Sequence, residues 1–570
     1  MPELLPPGAI LLLGSLLLMA VRGRAGAVLM LALPVLAFAQ VAGLAAGDRL
    51  AVDFYGFVLE PLAVDDLSLA FGFVFTIVAF LGAVYGFRIM GTTERVAATM
   101  YGGSALGVVF AGDLLSLFLF WEIKALASVF LIWARGTEEA GRAGKRYLYV
   151  QLAGGKLLLA GIIWHYALTG SLAFTGFELA PATALIMVGF LLSAAVPPLH
   201  AWLPDGYPMA TVAGTVFLSA FTTKASVYAL ARGFAGVELL VWLGVAMALY
   251  GVVYAVLEND IRRLLAYHIV SQVGFMVAAV GIGTEVAVNG ATAHAFAHIL
   301  YKGLLLMGAG AVLYAVGESR STELGGLTRK LRWVLVLYMV GAVSISGFPL
   351  FSGFISKEII THAASIDGRT VVLLLLKLAS VGTFLSTGLK LPYSTFFGPD
   401  RGLEPRPIPA TMYLGMALAA VANLVLGLFP GLLYDLLPYP VDYEPFALYK
   451  VVETSQILFF TAVGFMLMLA RVDAKRKVSL DVDWFYRVAP FRLAAWARSL
   501  RPEREPAPTE GLAHRPPLRA RLASGTAEVV GQLPLVKEAR ASSDSPVYPT
   551  WMVGAVMVAT AVVVLGVTFV

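Results

Sequence analysis

The stretch that decides the fold is AHAFAHILYKGLLLMGAGAVLY at residues 293–314, an apolar run that is long enough to cross a bilayer. His294, His298 and Lys302 recur every four positions within it, so they lie on one face of a helix and span about 12 Å. An ionisable side chain near the bilayer centre costs roughly 2.5–3.5 kcal/mol even on the mildest insertion scale. The run therefore predicts a transmembrane helix whose polar face serves a function.

Three further apolar spans also contain charged residues, namely Glu122, Lys224, Lys377 and Lys390. A single intramembrane charge has many explanations, including a long side chain that reaches the interface, which is a reasonable alternative for Lys377. Their recurrence predicts a polar path inside a bundle of transmembrane helices.

The composition is that of a polytopic membrane protein. Hydrophobic residues make up 59% of the 570 residues and charged residues 14%, against about 45–50% and about 25% in soluble domains. The apolar runs are long and continuous, which favours an all-α bundle over a β-barrel. The chain has no cysteine, which excludes thiolate-bound iron–sulfur clusters and cysteine zinc sites within it.

About sixteen apolar spans follow one another along the chain. They lie near residues 8–21, 26–46, 67–87, 98–112, 114–134, 146–168, 181–199, 209–232, 237–257, 264–283, 289–316, 331–350, 371–397, 408–434, 452–471 and 549–570.

Charges alternate between the loops that join these spans. Arginine and lysine fill one set, and aspartate and glutamate fill the other. By the positive-inside rule the basic loops are cytoplasmic, which places both termini outside the plasma (inner) membrane. The first span is expected to be retained, because the opening MPELLPPG has no basic signal-peptide region.

Prolines interrupt several spans. Pro197 and Pro198 lie in VPPLHAWLPD, Pro349 in SISGFPLFSGF and Pro392 in STGLKLPYSTFFG. Prolines free backbone carbonyls, which at membrane depth are tolerated only against protein or water. Broken helices in the two halves of a transporter are typical of ion sites, although a simple kink explains any one proline.

Five motifs together resemble one family. VPPLHAWLPD (196–205), FTTK (221–224), NDIRRLLAYHIVSQVGFM (259–276), HAFAHILYKGLLL (294–306) and SISGFPLFSGFISK (344–357) resemble the antiporter-like subunits of respiratory complex I and of Mrp-type cation/proton antiporters. The resemblance runs from about residue 60 to 400 and looks closest to the D-type subunit of Mrp antiporters. It implies a core of about fourteen helices with two inverted repeats, each with a broken helix, plus extra C-terminal helices.

On this basis the chain is divided into six regions. They are N-terminal helices at 1–97, a first repeat at 98–257, a second repeat at 258–407, C-terminal core helices at 408–471, a cytoplasmic amphipathic and linker segment at 472–548, and a final helix at 549–570.

The resemblance also implies the site. The family's membrane glutamate corresponds to Glu122, its first-half lysine to Lys224, its central histidine and lysine run to His294, His298 and Lys302, and its terminal lysine to Lys390. One position departs: Ser193 stands where many members have a lysine, so Lys156 on a neighbouring span is a candidate substitute cation.

The chemistry that these residues suggest is a proton relay. An amine removed from water holds its proton less tightly, and imidazole titrates near neutral pH, so such a chain can pass protons without a cofactor or metal. Lys156 and Lys377 are its less certain members.

The leading hypothesis is the proton-translocating subunit of a multisubunit Mrp-type monovalent cation (Na⁺)/proton antiporter. Its partners would be other membrane subunits and the bilayer, and sodium would be handled by those partners. The alternatives are a membrane-arm subunit of a complex I-like or hydrogenase redox complex, or an energising subunit for inorganic-carbon uptake. The chain is expected to be a transporter subunit rather than an enzyme, and a translocase subunit within a complex I-like assembly.

Overall fold

The computed structural model describes residues 5–472 together with Asp481, Trp484, Arg492 and Leu493. These residues are mainly helical, and ten of the described helices are long and apolar enough to cross a membrane. The predicted all-α polytopic class is confirmed. The predicted amphipathic segment 472–548 and final helix 549–570 otherwise lie outside the described residues.

The first half of the chain contains ten helices and one β-hairpin, which the sequence did not predict. They are α1 (Pro7–Ala20), α2 (Gly23–Ala42), β1 (Arg49–Phe54), β2 (Phe57–Ala63), α3 (Asp66–Gly86), α4 (Thr92–Phe110), α5 (Leu114–Trp133), α6 (Glu138–Thr169), α7 (Pro181–Ser193), α8 (Trp202–Gly206), α9 (Gly214–Ala220) and α10 (Thr222–Gly233).

The second half continues with nine α-helices and two π-helical stretches. They are α11 (Glu238–Leu257), α12 (Ile261–Ile282), α13 (Glu285–Val316), α14 (Arg332–Ser346), α15 (Ser352–Ile366), α16 (Thr370–Thr383), the π-helical stretches Phe384–Lys390 and Tyr393–Phe397, α17 (Ala410–Leu428), α18 (Gly431–Tyr434) and α19 (Leu448–Val472).

Side-chain caps fix where the helices of the site begin. The Asp113 carboxylate accepts hydrogen bonds from two backbone N–H groups at the start of α5, and Asp260 does the same for α12. Thr284 caps α13 in the same way. Each cap satisfies donors that would otherwise lack a partner at the helix end, which is worth about 1 kcal/mol.

Helices α11 and α12 pack with their backbones in close contact. Gly244 and Gly251 on α11, and Gly274 and Gly281 on α12, line this contact, and a Cβ at any of the four would collide with backbone atoms of the other helix. Small residues are what permit such close approach between membrane helices. The apolar stretch of α12 is entirely buried inside the protein. Its polar side chains therefore face other helices rather than lipid.

Two helices are broken where proline was predicted to break them. Between α7 and α8 the chain turns through Ala195 at a φ of 62°, and between α14 and α15 through Gly347 at 81° and Leu350 at 71°. The carbonyls freed at these breaks accept side-chain donors: Leu192 accepts the Trp202 indole at 3.0 Å, and Ile345 accepts the Lys357 amine at 2.6 Å.

The structure differs from three expectations about the spans. The span 209–232 is divided at Phe221 into α9 and α10. Residues 352–366, assigned to no span, form α15, because Lys357 and Glu358 interrupt its apolar run. The break expected at Pro392 is absent, since the chain stays helical there. The helix forms wider π-helical turns on both sides of Pro392, and these accommodate the proline, which has no backbone N–H group to donate.

Candidate functional site

The predicted polar face of α13 lies at the centre of the protein. His294, His298 and Lys302 are all fully buried. The Nδ1 of His294 lies 3.1 Å from the hydroxyl of Ser356 on α15, and its Nε2 lies 3.3 Å from Oε1 of Gln272 on α12. The first histidine of the face is therefore hydrogen-bonded to two neighbouring helices.

The other two residues of this face have fewer partners. Neither ring nitrogen of His298 has a hydrogen-bond partner among the described protein atoms, and its ring packs edge-on against Tyr301 at 5.2 Å. The Lys302 amine donates to the carbonyl of Leu265 at 3.3 Å. A buried imidazole without a protein partner is unusual and is typical of functional sites and of sites that hold water.

Lys224 approaches the same face from the first half of the chain. It is fully buried on α10, and its amine donates to the carbonyl of Ser219 at 2.6 Å. That carbonyl lies at the end of α9, where the kink at Phe221 interrupts the helical hydrogen bonds. Lys224 is close enough to interact electrostatically with His298 and Lys302, so the structure brings these predicted residues together.

Lys357 is a member of the central cluster that sequence reasoning missed. It is 4% exposed on α15, and its amine donates to Ile345 at the break and lies 3.4 Å from the Ser380 hydroxyl. Its neighbour Ser356 contacts His294. The signal was present in the motif SISGFPLFSGFISK, whose last residue is Lys357, but no span had been assigned there.

Helix α12 supplies two further polar groups. Gln272 accepts from Tyr301 at 3.4 Å and donates to Thr383 at 3.3 Å, in addition to its contact with His294. His268 lies 2.6 Å from the hydroxyl of Ser386. Sequence reasoning overlooked Gln272, because an isolated amide in an apolar helix gives no periodic signal.

The structure places Glu122 at a second, peripheral site. Its Oε2 lies 3.9 Å from the amine of Lys156, the proposed substitute cation, whose side chain is 65% exposed. The carboxylate fits between α5 and α6 because residue 155 is a glycine, since a Cβ there would collide with it. Ser193, at the departing position, donates to Gln151 at 3.0 Å instead of carrying a charge.

Lys124 is a second cation near Glu122. It is fully buried, with its amine 3.4 Å from the centroid of the Trp121 ring, and it interacts electrostatically with Glu122. Its amine has no hydrogen-bond partner among the described protein atoms. A four-carbon stem lets it reach the region of Glu122 from a neighbouring face.

Lys390 and Lys377 lie outside the central cluster. The Lys390 amine donates to the carbonyls of Val256 and Glu258 at 2.6 and 2.9 Å, at the C-terminal end of α11. Lys377 forms an ion pair with Glu453 of α19. Lys357 lies in the central cluster, whereas Lys390, which the resemblance implies is the terminal lysine of the relay, lies at the end of α11.

The side chains of the cluster are groups that can take up and release protons. Among the described residues, no group of three or more His, Cys, Asp or Glu side chains could bind a metal ion. Imidazole and amine groups that share hydroxyl and amide partners can accept and release protons in turn.

Comparisons with known proteins by family model, by sequence and by structure all point to the same family of membrane subunits. The family model described as NADH:quinone oxidoreductase/Mrp antiporter, TM, matches residues 111–386. That range includes Glu122, Lys224, the whole of α13 and Lys357, and it ends before Lys390.

Similar proteins occur in two kinds of complex. The N-type subunit of the NADH-quinone oxidoreductase of Desulforudis audaxviator is 31% identical over 417 residues, covering 65% of this chain and 81% of that protein. The D-type subunit of the Na(+)/H(+) antiporter of Alkalihalophilus pseudofirmus is 29% identical over 340 residues, covering 56% and 68%. A chain of the Mrp complex from Dietzia sp. DQ12-45-1b shares the fold, with a TM-score of 0.65 at 24% identity over 80% of this chain and 97% of that one.

Proposed function

The chain belongs to the NADH:quinone oxidoreductase/Mrp antiporter transmembrane family, and we propose that it is the proton-translocating subunit of a multisubunit Mrp-type Na⁺/proton antiporter. The observation that carries this proposal is the buried cluster of Lys224, His294, His298, Lys302 and Lys357, which comes from three helices and whose Lys357 bonds across a helix break to the carbonyl of Ile345. The similarity to the D-type subunit of a Na(+)/H(+) antiporter supports the assignment to the Mrp type.

The proton path follows the contacts of the cluster. A proton on Lys224 passes to the region of His298 and Lys302. The His298 ring has no hydrogen-bond partner among the described protein atoms, so a mobile water completes each transfer. It then moves along α13 to His294 and through the Ser356 hydroxyl towards Lys357. A neutral amine still has N–H donors, so each lysine keeps its carbonyl partner in both protonation states.

The cluster favours protons over sodium as the ion that this subunit carries. Sodium, like other hard cations, is bound by carboxylate and carbonyl oxygens, whereas most side chains of the cluster are amines and imidazoles. Sodium binding is therefore assigned to partner subunits. Glu122 with Lys156 or Lys124 forms a separate switch whose pairing biases the first half of the relay.

A second candidate is a membrane-arm subunit of a redox complex. The 31% identity to the N-type subunit of an NADH-quinone oxidoreductase favours it. Purification of the complex under mild detergent distinguishes the two, because membrane subunits alone support the antiporter, and co-purifying iron–sulfur or flavin subunits support the redox complex.

The relay is tested with Lys302→Ala in everted vesicles that contain the assembled complex and a pH-sensitive dye. We expect cation-driven proton movement to be abolished at normal protein levels, because the amine at the end of the α13 face is lost. Lys330→Ala, which removes an exposed lysine paired with Glu404, serves as the control and should transport normally. Near-normal transport by Lys302→Ala would disprove the relay.

A further inference from the structure

We propose, on the basis of the function proposed above, that a pocket between α15, α16 and α19 is the outlet through which the relay exchanges protons with the outer aqueous phase. Its lining includes Lys357, Glu358, Lys377, Ser380, Glu453 and Thr454, around a cavity of about 40 Å³. That volume accommodates a water molecule, which needs about 10–15 Å³ and several polar partners.

Lys357 of the central cluster forms the inner end of the pocket. Lys357 lines the pocket with only 4% of its surface exposed, and Ser356 beside it contacts His294. The Ser380 hydroxyl, 3.4 Å from the Lys357 amine, lines the same pocket. A proton that reaches Lys357 is therefore already at the wall of this cavity.

The outer end is closed by the ion pair of Lys377 and Glu453. Their side chains are 27% and 48% exposed, in contrast to the buried Lys357. Lys377 is the eighth residue of α16 and Glu453 the sixth of α19, which places both about 8–10 Å from the ends of their helices at about 1.5 Å per residue. Those ends lie on the side where the loops are acidic, predicted to be the outer side. Both side chains are long enough to reach towards that surface.

Glu358 lies between the two ends. Its carboxylate accepts from Thr361 at 3.2 Å and from Thr454 of α19 at 3.4 Å, and it interacts electrostatically with Lys377. An acid in this position can take the proton from the Lys357 ammonium: an N–H bond breaks, an O–H bond forms, and lysine and glutamate both become neutral. When the Lys377–Glu453 pair opens, the proton leaves to water in the outer phase and Glu358 is again ionised.

The absence of cysteine from the chain makes the pocket directly testable. Ser380→Cys and Thr454→Cys place a thiol in its wall, and a small, charged, membrane-impermeant thiol reagent is added from the outer side to the assembled complex during cation-driven transport, when the Lys377–Glu453 pair opens. We expect both to be labelled about tenfold faster or more than Phe460→Cys, whose side chain is 67% exposed on α19, because charged reagents enter water-filled pockets but not lipid. Glu444→Cys in the acidic loop is the positive control. If both pocket thiols are as unreactive as Phe460→Cys, the outlet is disproved.

Measurements of proton transport distinguish a failure of the proposed outlet from a failure of the proposed relay. In everted vesicles we expect Glu358→Gln to lose about tenfold or more of its proton movement, as expected when a proton-transfer group is removed. Glu404→Gln, which removes an exposed carboxylate paired with Lys330, should transport normally. Normal transport by Glu358→Gln together with an inactive Lys302→Ala would disprove the outlet and leave the relay intact, whereas an active Lys302→Ala would disprove the relay itself.

Discussion

The buried lysines of the central cluster are bonded to main-chain carbonyls rather than to carboxylates. Lys224, Lys302 and Lys357 donate to the carbonyls of Ser219, Leu265 and Ile345. An ion pair in a dry interior would hold the proton on the amine, since separating buried opposite charges is costly. A carbonyl is neutral and accepts from either the ammonium or the amine. These contacts therefore position each lysine while leaving its protonation free to change.

The peripheral site at Glu122 offers two cations for one carboxylate, and mutation distinguishes them. If Lys156 replaces the lysine that is missing at Ser193, Lys156→Ala should reduce transport about as much as Glu122→Ala. The double variant should add little, because coupled residues are not additive. Proton movement in everted vesicles is the measurement. Full activity in Lys156→Ala combined with loss in Lys124→Ala would transfer the role to the buried Lys124.

The sequence predicted the part of the site that lies on one helix and missed the part that depends on packing. Four-residue spacing was sufficient to place His294, His298 and Lys302 on one face. Lys357 and Gln272 join that face only because α15 and α12 pack beside α13. No spacing along the chain encodes which helices become neighbours, so their contribution required the structure.

Continuous apolar runs predicted the helices well, and polar residues inside helices caused the errors. Helix α13 was found because its charges are few within a long apolar stretch, while α15 was overlooked because Lys357 and Glu358 fall within its fifteen residues. At Pro392 the opposite error arose: a break was expected, but π-helical turns absorb the proline. Such turns carry no sequence pattern that distinguishes them from a break.

The π-helical segment Phe384–Lys390 places the Lys390 amine at the C-terminal end of α11. If Lys390 is the terminal lysine of the relay, as the resemblance implies, Lys390→Arg should fail nearly as badly as Lys390→Ala, because arginine does not release its proton. Lys390 lies outside the central cluster, however, and its bonds to two carbonyls at the end of α11 suit a cationic helix cap. We therefore expect Lys390→Arg to transport nearly normally and Lys390→Ala to lose function, as measured with the pH-sensitive dye. Failure of both variants would show that Lys390 must release its proton, as expected of the terminal lysine of the relay.

Over the whole molecule, ion pairs join segments that the charge pattern assigns to the same side. Arg369 pairs with Glu238, and Arg232 with Asp65, near loops predicted to be outside. Lys330 pairs with Glu404 near loops predicted to be cytoplasmic. This arrangement supports the alternating topology, in which each span crosses the membrane once.

The residue Asp481, which follows α19, binds back onto the first broken helix. Its carboxylate lies 3.3 Å from Nε2 of His200, accepts from Tyr267 at 2.6 Å and accepts from Tyr250. Burial alone would raise the pKa of the Asp481 carboxyl, but its hydrogen bonds and the charge of His200 outweigh burial and hold the pKa below its usual range. The contact links the segment that follows α19 to the VPPLHAWLPD break, a connection that no local sequence pattern predicted.

Because its pKa is lowered on folding, Asp481 contributes stability that is complete above the ordinary value of about 4 and is lost only as the pH falls through the lowered value. Asp481→Asn should therefore destabilise the protein by about 1–3 kcal/mol, since it leaves buried donors without a charged acceptor. The loss should shrink in acid, as the Asp481 carboxyl becomes protonated. Thermal unfolding of the purified complex measures it, with Asp442→Asn, in an exposed loop, as the control. If Asp481→Asn and the unmodified protein unfold at the same temperature at pH 7, this contact does not hold the segment that follows α19 to the broken helix.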